Sequence, residues 1–186
     1  MRDFPYEIEL TRRNGDKRLV VFRKSRVEDL PEIMALQDET HQNIPDKKLF
    51  NKTTEEELRD SIENDLCCSV FHDGKMVGFT LLVRPRISYR NFGKYLEYDD
   101  EKLLKCVSLD TSFIMQEYRG FGLQDVFFKL RIEEGIALGA EEALSTISPD
   151  NEVSLKNAYA NGFEVASKLE IYDGLERYIL KRDLTL

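Results

Sequence analysis

Three residue pairs divide this chain more firmly than anything else in it: Asn14-Gly15, Asp73-Gly74 and Asp173-Gly174. Each accepts the positive φ angles of a tight primed turn, whose twist matches that of the strands it joins. Strand-like runs flank each pair: EIEL and RLVVF around the first, CCSVF and MVGFTLLV around the second, FEVASKLEIY and LERYILKRDL around the third. Three hairpins of this kind demand a largely antiparallel sheet.

Helical patterns lie between the hairpins. SRVEDLPEIMALQ turns helical near Asp29, because Pro31 is tolerated only in a first turn, and its apolar face is Leu30, Ile33 and Met34. TTEEELRDSIEN is a second helix, with capping-box spacing at Thr53 and Glu56 or at Thr54 and Glu57. In the second half, the strand CVSLDTSFIM, the helix LQDVFFKLRIEEGIALG and the strand ALSTIS follow in order. Leu123, Val126, Phe127 and Leu130 share one face of that helix. A strand, helix, strand crossover makes one parallel pair, so the expected fold is α+β with a mixed, largely antiparallel sheet. NEVSLKNAYAN is a short helix ended by Gly162.

Residues 85 to 104 break the pattern with Pro, Gly and four spaced aromatics. They are expected to form a functional loop, such as a substrate lid, or a small helical insert, and the other reading is a surface loop packing its own aromatics.

A chain of 186 residues suits one domain spanning 1–186, and 41% apolar with 33% charged residues describes a folded globular protein. With 35 acidic against 27 basic side chains the net charge of −8 argues against a nucleic-acid partner. The basic run TRRNGDKR at 11–18 surrounds a turn and reads as a solvated hairpin tip without function. No apolar run approaches the roughly 18 residues of a membrane span, so no membrane partner and a cytoplasmic location are expected. Cys67, Cys68 and Cys106 are odd in number and lack CxxC spacing, which indicates neither disulfides nor a metal site. Cys106 also has no base nearby in sequence to make it a nucleophile.

The stretch QEYRGFGLQ, residues 116–124, carries the chemistry. A glycine-rich turn opening a helix leaves several N–H groups unpaired and pointing one way, which suits a phosphate. It is not a dinucleotide fingerprint, because Asp125 stands where the third glycine belongs, and GxxxxGK occurs nowhere.

The order of strand, QEYRGFGLQ, long helix, strand and NEVSLKNAYANGF resembles the GNAT superfamily of acetyl-CoA-dependent N-acetyltransferases, a three-layer α/β/α fold. Within the motif R/Q-x-x-G-x-G/A and the tyrosine before it, Arg119, Gly122 and Tyr118 match. Gln116 replaces a proline and Gln124 the last small residue. The family's later motif is met by Asn151, Ser154, Gly162 and Phe163. The resemblance implies coenzyme A binding with the pyrophosphate on the amides of Arg119, Gly120, Phe121, Gly122, Leu123 and Gln124, and with Asn151 and Ser154 in the same cofactor site. It further implies a backbone oxyanion donor among Phe113, Ile114 and Met115, and a strand bulge near that point.

Acetyl transfer to an amine needs a base, since an ammonium of lysine type has a pKa of roughly 10. Asp110 is the candidate, in a position where family members carry an acidic residue. The other reading is an Asp held structurally by a neighbouring strand or loop. The family's acid, a tyrosine, falls at Ala158, and Tyr159 lies one residue on, about 100° round a regular helix. A departing thiol with a cysteine-like pKa of about 8.5 also leaves unaided as its thiolate. His41, in a connection between helices, is a second candidate, whereas His72 reads as a surface residue beside a turn.

The expected function is direct acetyl transfer to a primary amine of a small molecule or peptide, without a metal. The alternative is a non-catalytic acyl-CoA-binding regulatory protein that keeps the cradle without the acid. If the acidic surplus lines the cleft, the acceptor is cationic. A homodimer is expected if the C-terminal hairpin and the 85–104 aromatics present an apolar patch.

Overall fold

The structure, a computed structural model, describes residues 3–185. Strands β1 (Tyr6–Thr11) and β2 (Lys17–Lys24) precede helices α1 (Leu30–Gln42) and α2 (Glu55–Asn64), followed by β3 (Leu66–His72) and β4 (Lys75–Val83). The short helix α3 (Asp100–Leu103), β5 (Cys106–Ile114), α4 (Leu123–Ala137), β6 (Glu142–Ile147), α5 (Glu152–Ala160), β7 (Glu164–Ile171) and β8 (Leu175–Asp183) complete the chain. All three expected hairpins form, and at the third Asp173 (φ 60°) and Gly174 (φ 92°) both take the left-handed conformation. Of the two capping boxes, the helix uses Thr54 and Glu57, each side chain bonding the other's backbone N–H. Pro31 sits in the first turn of α1, and Leu30, Ile33, Leu36 and Gln37 are buried beneath it.

The eight strands form one mixed sheet in the order β1-β2-β3-β4-β5-β6-β8-β7, in which β5 and β6 are the one parallel pair among the described residues. The sheet is covered on both faces. A Cβ at Gly78 would come within 3.1 Å of Phe127 and Leu123, so α4 lies directly over that side of β4. The neighbouring Phe79 points the opposite way, stacking on Phe113, whose ring meets Phe50 between α1 and α2 edge-on.

One extra residue interrupts β5. Thr80 opposes Ser112 and Leu82 opposes Leu109, so Asp110 and Thr111 share the single partner Leu81. Such a bulge reverses the alternation of side chains beyond it. Leu109 packs in the cluster under Phe128 and Ile132, whereas Phe113, an even number of residues on, packs in the other cluster. The bulge lies upstream of the Phe113–Met115 position expected from the sequence. The strict alternation of Val107, Leu109 and Thr111 with Ser108, Asp110 and Ser112 therefore ends at Asp110.

Residues 85–104 are a packed insert. Phe92 is buried with Cys106 and Leu144, Tyr95 and Tyr98 pack against them, the Phe92 amide donates to Ser108 Oγ at 2.9 Å, and the Tyr98 hydroxyl donates to Glu142 at 2.7 Å. Phe92, Tyr95 and Tyr98 are spent on the protein's own sheet, and the large apolar side chains that the insert leaves exposed are Ile87, Tyr89 and Leu104. Among the described residues no helix is long and apolar enough to cross a membrane, and no cluster of His, Cys, Asp or Glu could hold a metal.

Candidate active site

β5 and β6 pair only from Cys106 with Glu142 to Leu109 with Ser145. Past that point they part, beside the bulge, and a cavity of about 180 Å³ opens between them. Asp110, Thr111, Ser112, Gln124, Asn151 and Ser154 line one part of it. Leu49 to Thr53, the insert residues Tyr89, Arg90, Phe92 and Tyr95, and Tyr172 with Arg177 of the third hairpin line the rest.

The phosphate-type turn is built as its glycines require. Gly120 (φ 83°) and Gly122 (φ 79°) both occupy the left-handed region, and Gly122 is the N-cap of α4. The first amide of the helix to find a carbonyl is Val126, which donates to Gly122 at 3.2 Å. Among the described residues the six consecutive amides from Gly120 to Asp125 meet no protein acceptor, whereas the amide of Arg119 is taken by Gln116 at 3.2 Å. Phe121 and Leu123 are buried anchors of the turn, and Gln124 faces the cavity. Six free N–H groups at the positive end of a fifteen-residue helix fit a diphosphate of the coenzyme A kind. Asn151 caps α5, its Oδ1 accepting from the Ser154 amide at 3.1 Å, which leaves its amide nitrogen for a ligand.

The basic hairpin is more than a solvated tip. Arg12 Nη2 donates to the carbonyls of Glu117 at 2.9 Å and Arg119 at 2.7 Å, and its guanidinium lies 4.4 Å from the Phe121 ring centre. Arg12 thus holds the carbonyl side of the turn. Only a contact more than a hundred residues away in the chain reveals this.

The candidate oxyanion donors separate cleanly. Met115 donates its amide to Val77 at 3.0 Å, and the alternation of an antiparallel ladder turns Phe113 the same way, toward β4. Ile114, between them, directs its amide to the opposite edge, where β6 has diverged.

Asp110 lines the cavity but is not free. Its Oδ2 accepts a short charge-assisted hydrogen bond from Arg90 Nη2, while Arg90 Nη1 bonds the Glu57 carbonyl at 2.8 Å and Ser61 Oγ at 2.6 Å. Burial alone would lower the Arg90 guanidinium, but the attraction and hydrogen bond of Asp110, then Glu57 and Asp65, raise it above its ordinary value. The insert therefore supplies the counter-charge of the candidate base. Arg131 of α4 sits under the bulge with 2% of its surface exposed, donating to Phe127 O at 3.2 Å, Asp110 O at 3.3 Å and Leu81 O at 3.4 Å. Burial lowers its pKa to about 9, against a smaller upward pull from Asp110, so it stays charged at neutral pH.

Tyr159 does not reach this site. It is 48% exposed and outside the cavity lining, while Ala158 is buried in the core, as expected of neighbours on a regular helix. Three phenols line the cavity instead, Tyr89, Tyr95 and Tyr172, and the Tyr172 hydroxyl lies 3.2 Å from Thr146 Oγ1. Burial, then the charge of Asp110, holds its pKa above the ordinary tyrosine value. His41 belongs to the last turn of α1 and does not line the cavity. His72 Nδ1 lies 2.7 Å from the Leu19 carbonyl, which accepts a hydrogen bond from it, and the ring stands edge-on to Tyr118 behind the glycine turn. Burial pushes the Cys106 thiol up to about 12, which suits a passive core residue.

The charge of the cavity differs from the surplus of the whole chain: Lys52, Arg90, Arg131 and Arg177 line it against Glu57 and Asp110. Sequence reasoning missed Arg90, Arg131, Tyr172 and Arg177. No spacing in the chain links them.

No protein-family model matches the sequence, and no curated protein does. Solved structures do match. An acetyltransferase of the GNAT family from Streptococcus pneumoniae superposes with a TM-score of 0.67 at 16% identity, over 88% of this chain and 98% of that one. The ribosomal-protein-S5-alanine acetyltransferase from Vibrio fischeri does so at 0.68 and 13% identity, over 98% of both chains. The PaiA N-acetyltransferase from Thermoplasma acidophilum, solved in complex with coenzyme A, gives 0.62 at 17% identity, over 88% of this chain and 98% of that one. The chain thus has the fold of the GNAT N-acetyltransferases.

Proposed function

We propose that this protein is an acetyl-CoA-dependent N-acetyltransferase acting on a primary amine by direct transfer. The observation that carries the reading is the row of six unpartnered amides from Gly120 to Asp125 beside two strands that part at a bulge. Acetyl-CoA, when bound, supplies the activated thioester.

Each residue of the site then has a task. The amides of Gly120 to Gln124 hold the diphosphate, with Arg119 at the entry to the turn and Phe121 and Leu123 anchoring it from below. Asn151 and Ser154 flank the path of the pantetheine arm. The Ile114 amide, at the strand edge left open by β6, donates to the carbonyl oxygen as negative charge develops there. Asp110 keeps Oδ1 for the amine proton, directly or through water, because Arg90 occupies Oδ2. The C–N bond forms as the C–S bond breaks, and the sulfur departs as a thiolate. Tyr172 donates a hydrogen bond within the cavity in place of Tyr159.

The exposure of Tyr159 and the burial of Ala158 favour a second reading, a non-catalytic acyl-CoA-binding protein. Calorimetry with coenzyme A tests the cradle common to both. Thiol release from acetyl-CoA across a panel of amines separates them, and its absence with every acceptor would leave only the binder.

A further inference from the structure

Arg177 is the least explained charge in the molecule. It enters the cavity from β8 with 3% of its surface exposed, yet no carboxylate pairs with it among the described residues. Its Nη1 donates to its neighbour's carbonyl, Glu176 O, at 2.8 Å, and its Nη2 to Lys48 O at 2.7 Å, on the turn Lys47–Leu49. Among the described residues, three of its five N–H donors have no protein acceptor. Its guanidinium carbon lies 5.8 Å from the ring centre of Tyr172.

The other cations of the cavity are accounted for. Lys52 pairs with Asp38, Arg90 pairs with Asp110, and Arg131 spreads its bonds over three carbonyls around the bulge. Glu57 is committed to the Thr54 cap and to the Tyr89 hydroxyl. Arg177 is also remote in the fold from the glycine turn: its partners are the connection between α1 and α2 and the third hairpin. A buried guanidinium left unpaired is costly, and a planar fork of free donors matches a carboxylate. We propose that Arg177 is the acceptor anchor, and that the amine acetylated by this protein carries a carboxylate, as an amino acid does. This rests on the transferase reading and narrows its acceptor from any primary amine to one that bears a carboxylate, a group that the net charge of the chain would not suggest.

The test compares three forms of two acceptors: L-phenylalanine, its amide and phenethylamine, and L-lysine, its amide and cadaverine. With the wild-type protein, thiol release from acetyl-CoA should favour the free acid of at least one set by about 10- to 100-fold in kcat/KM, the range expected for a charged hydrogen bond. In Arg177→Gln that ratio should fall to near one, through a higher KM for the acid at similar kcat, while coenzyme A affinity stays unchanged. A merely structural role would lower both acceptors alike. Equal or better turnover of the amides and decarboxylated amines overturns the anchor and leaves the transferase standing. If nothing turns over, calorimetry of the six compounds with the coenzyme-A-loaded wild type decides: selective binding of an acid keeps the anchor, and its absence removes it. Should Arg177→Gln not fold, the selectivity of the wild type decides between the two outcomes alone.

Discussion

The glycine turn, which reaches the cavity through Gln124, and the side-chain wall of that cavity are made of different material. The turn presents backbone: six amides whose direction follows from two left-handed glycines and a helix start. The wall presents side chains, Glu57, Arg90, Tyr172 and Arg177, delivered by α2, the insert, the third hairpin and β8. Backbone geometry restricts which residues can occupy a position, so it leaves a trace in the sequence. A wall assembled from distant segments restricts only where each side chain arrives.

The two regions should therefore break differently. The largest effect is expected at the wall, from Arg90→Leu. Removing one partner of a buried ion pair leaves Asp110 uncompensated and costs roughly 3–5 kcal/mol, read from urea unfolding. Adding Asp110→Asn should recover much of that loss, and a neutral Arg90→Leu would dissolve the contrast between the regions. At the turn, Gly122→Glu places a side chain at φ 79° with open space around it, so the protein should fold with a penalty of about 1–2 kcal/mol. Its coenzyme A affinity should nevertheless drop by about 100-fold in calorimetry, since strain and negative charge meet at the proposed diphosphate site.

Arg12→Met sharpens the comparison, because it removes a side chain that serves the backbone. Coenzyme A binding should weaken about three- to tenfold, the worth of one or two hydrogen bonds, with acceptor KM unmoved.

Acid tests the insert. Hydrogen bonding and attraction from Arg86 hold the Asp60 carboxyl below its ordinary value of 3.8. A carboxyl depressed in the folded state stabilises above its unfolded pKa, and that contribution is lost as pH falls through the folded pKa. Asp60→Asn should flatten the fall of stability below about pH 4 by no more than about 0.5 kcal/mol, because the pair is largely solvated. Asp65, bonded by the same arginine but raised by burial, works in the opposite direction. Tyr159→Phe, the smallest change, should leave turnover and its pH profile as they were, while Tyr172→Phe lowers turnover.

Much of the fold was legible from the chain. The three hairpins follow from turn pairs, α1 from Pro31, and the parallel pair from the crossover, all of them local or periodic signals. The turn that opens α4 was legible through Gly120 and Gly122, and the end of α5 through Gly162. What stayed hidden has a common cause. Arg12 was read as solvated because its carbonyl partners at Glu117 and Arg119 are on another element. Tyr159 attracted the acid role through nearness in sequence to Ala158, although one residue of helix points it outward. The 85–104 aromatics offered two readings, and burial against β5 and β6 distinguishes the packed insert while also bringing Arg90 to Asp110.

The doubled residue opposite Leu81 has a consequence for how such a chain can change over time. What it controls is a count: with one residue fewer between Leu109 and Phe113, the polar atoms of that strand would trade places with its core aromatics. Identity at those positions can drift so long as the tally holds, which is the pattern to look for when the strand is aligned with proteins sharing under a fifth of its residues.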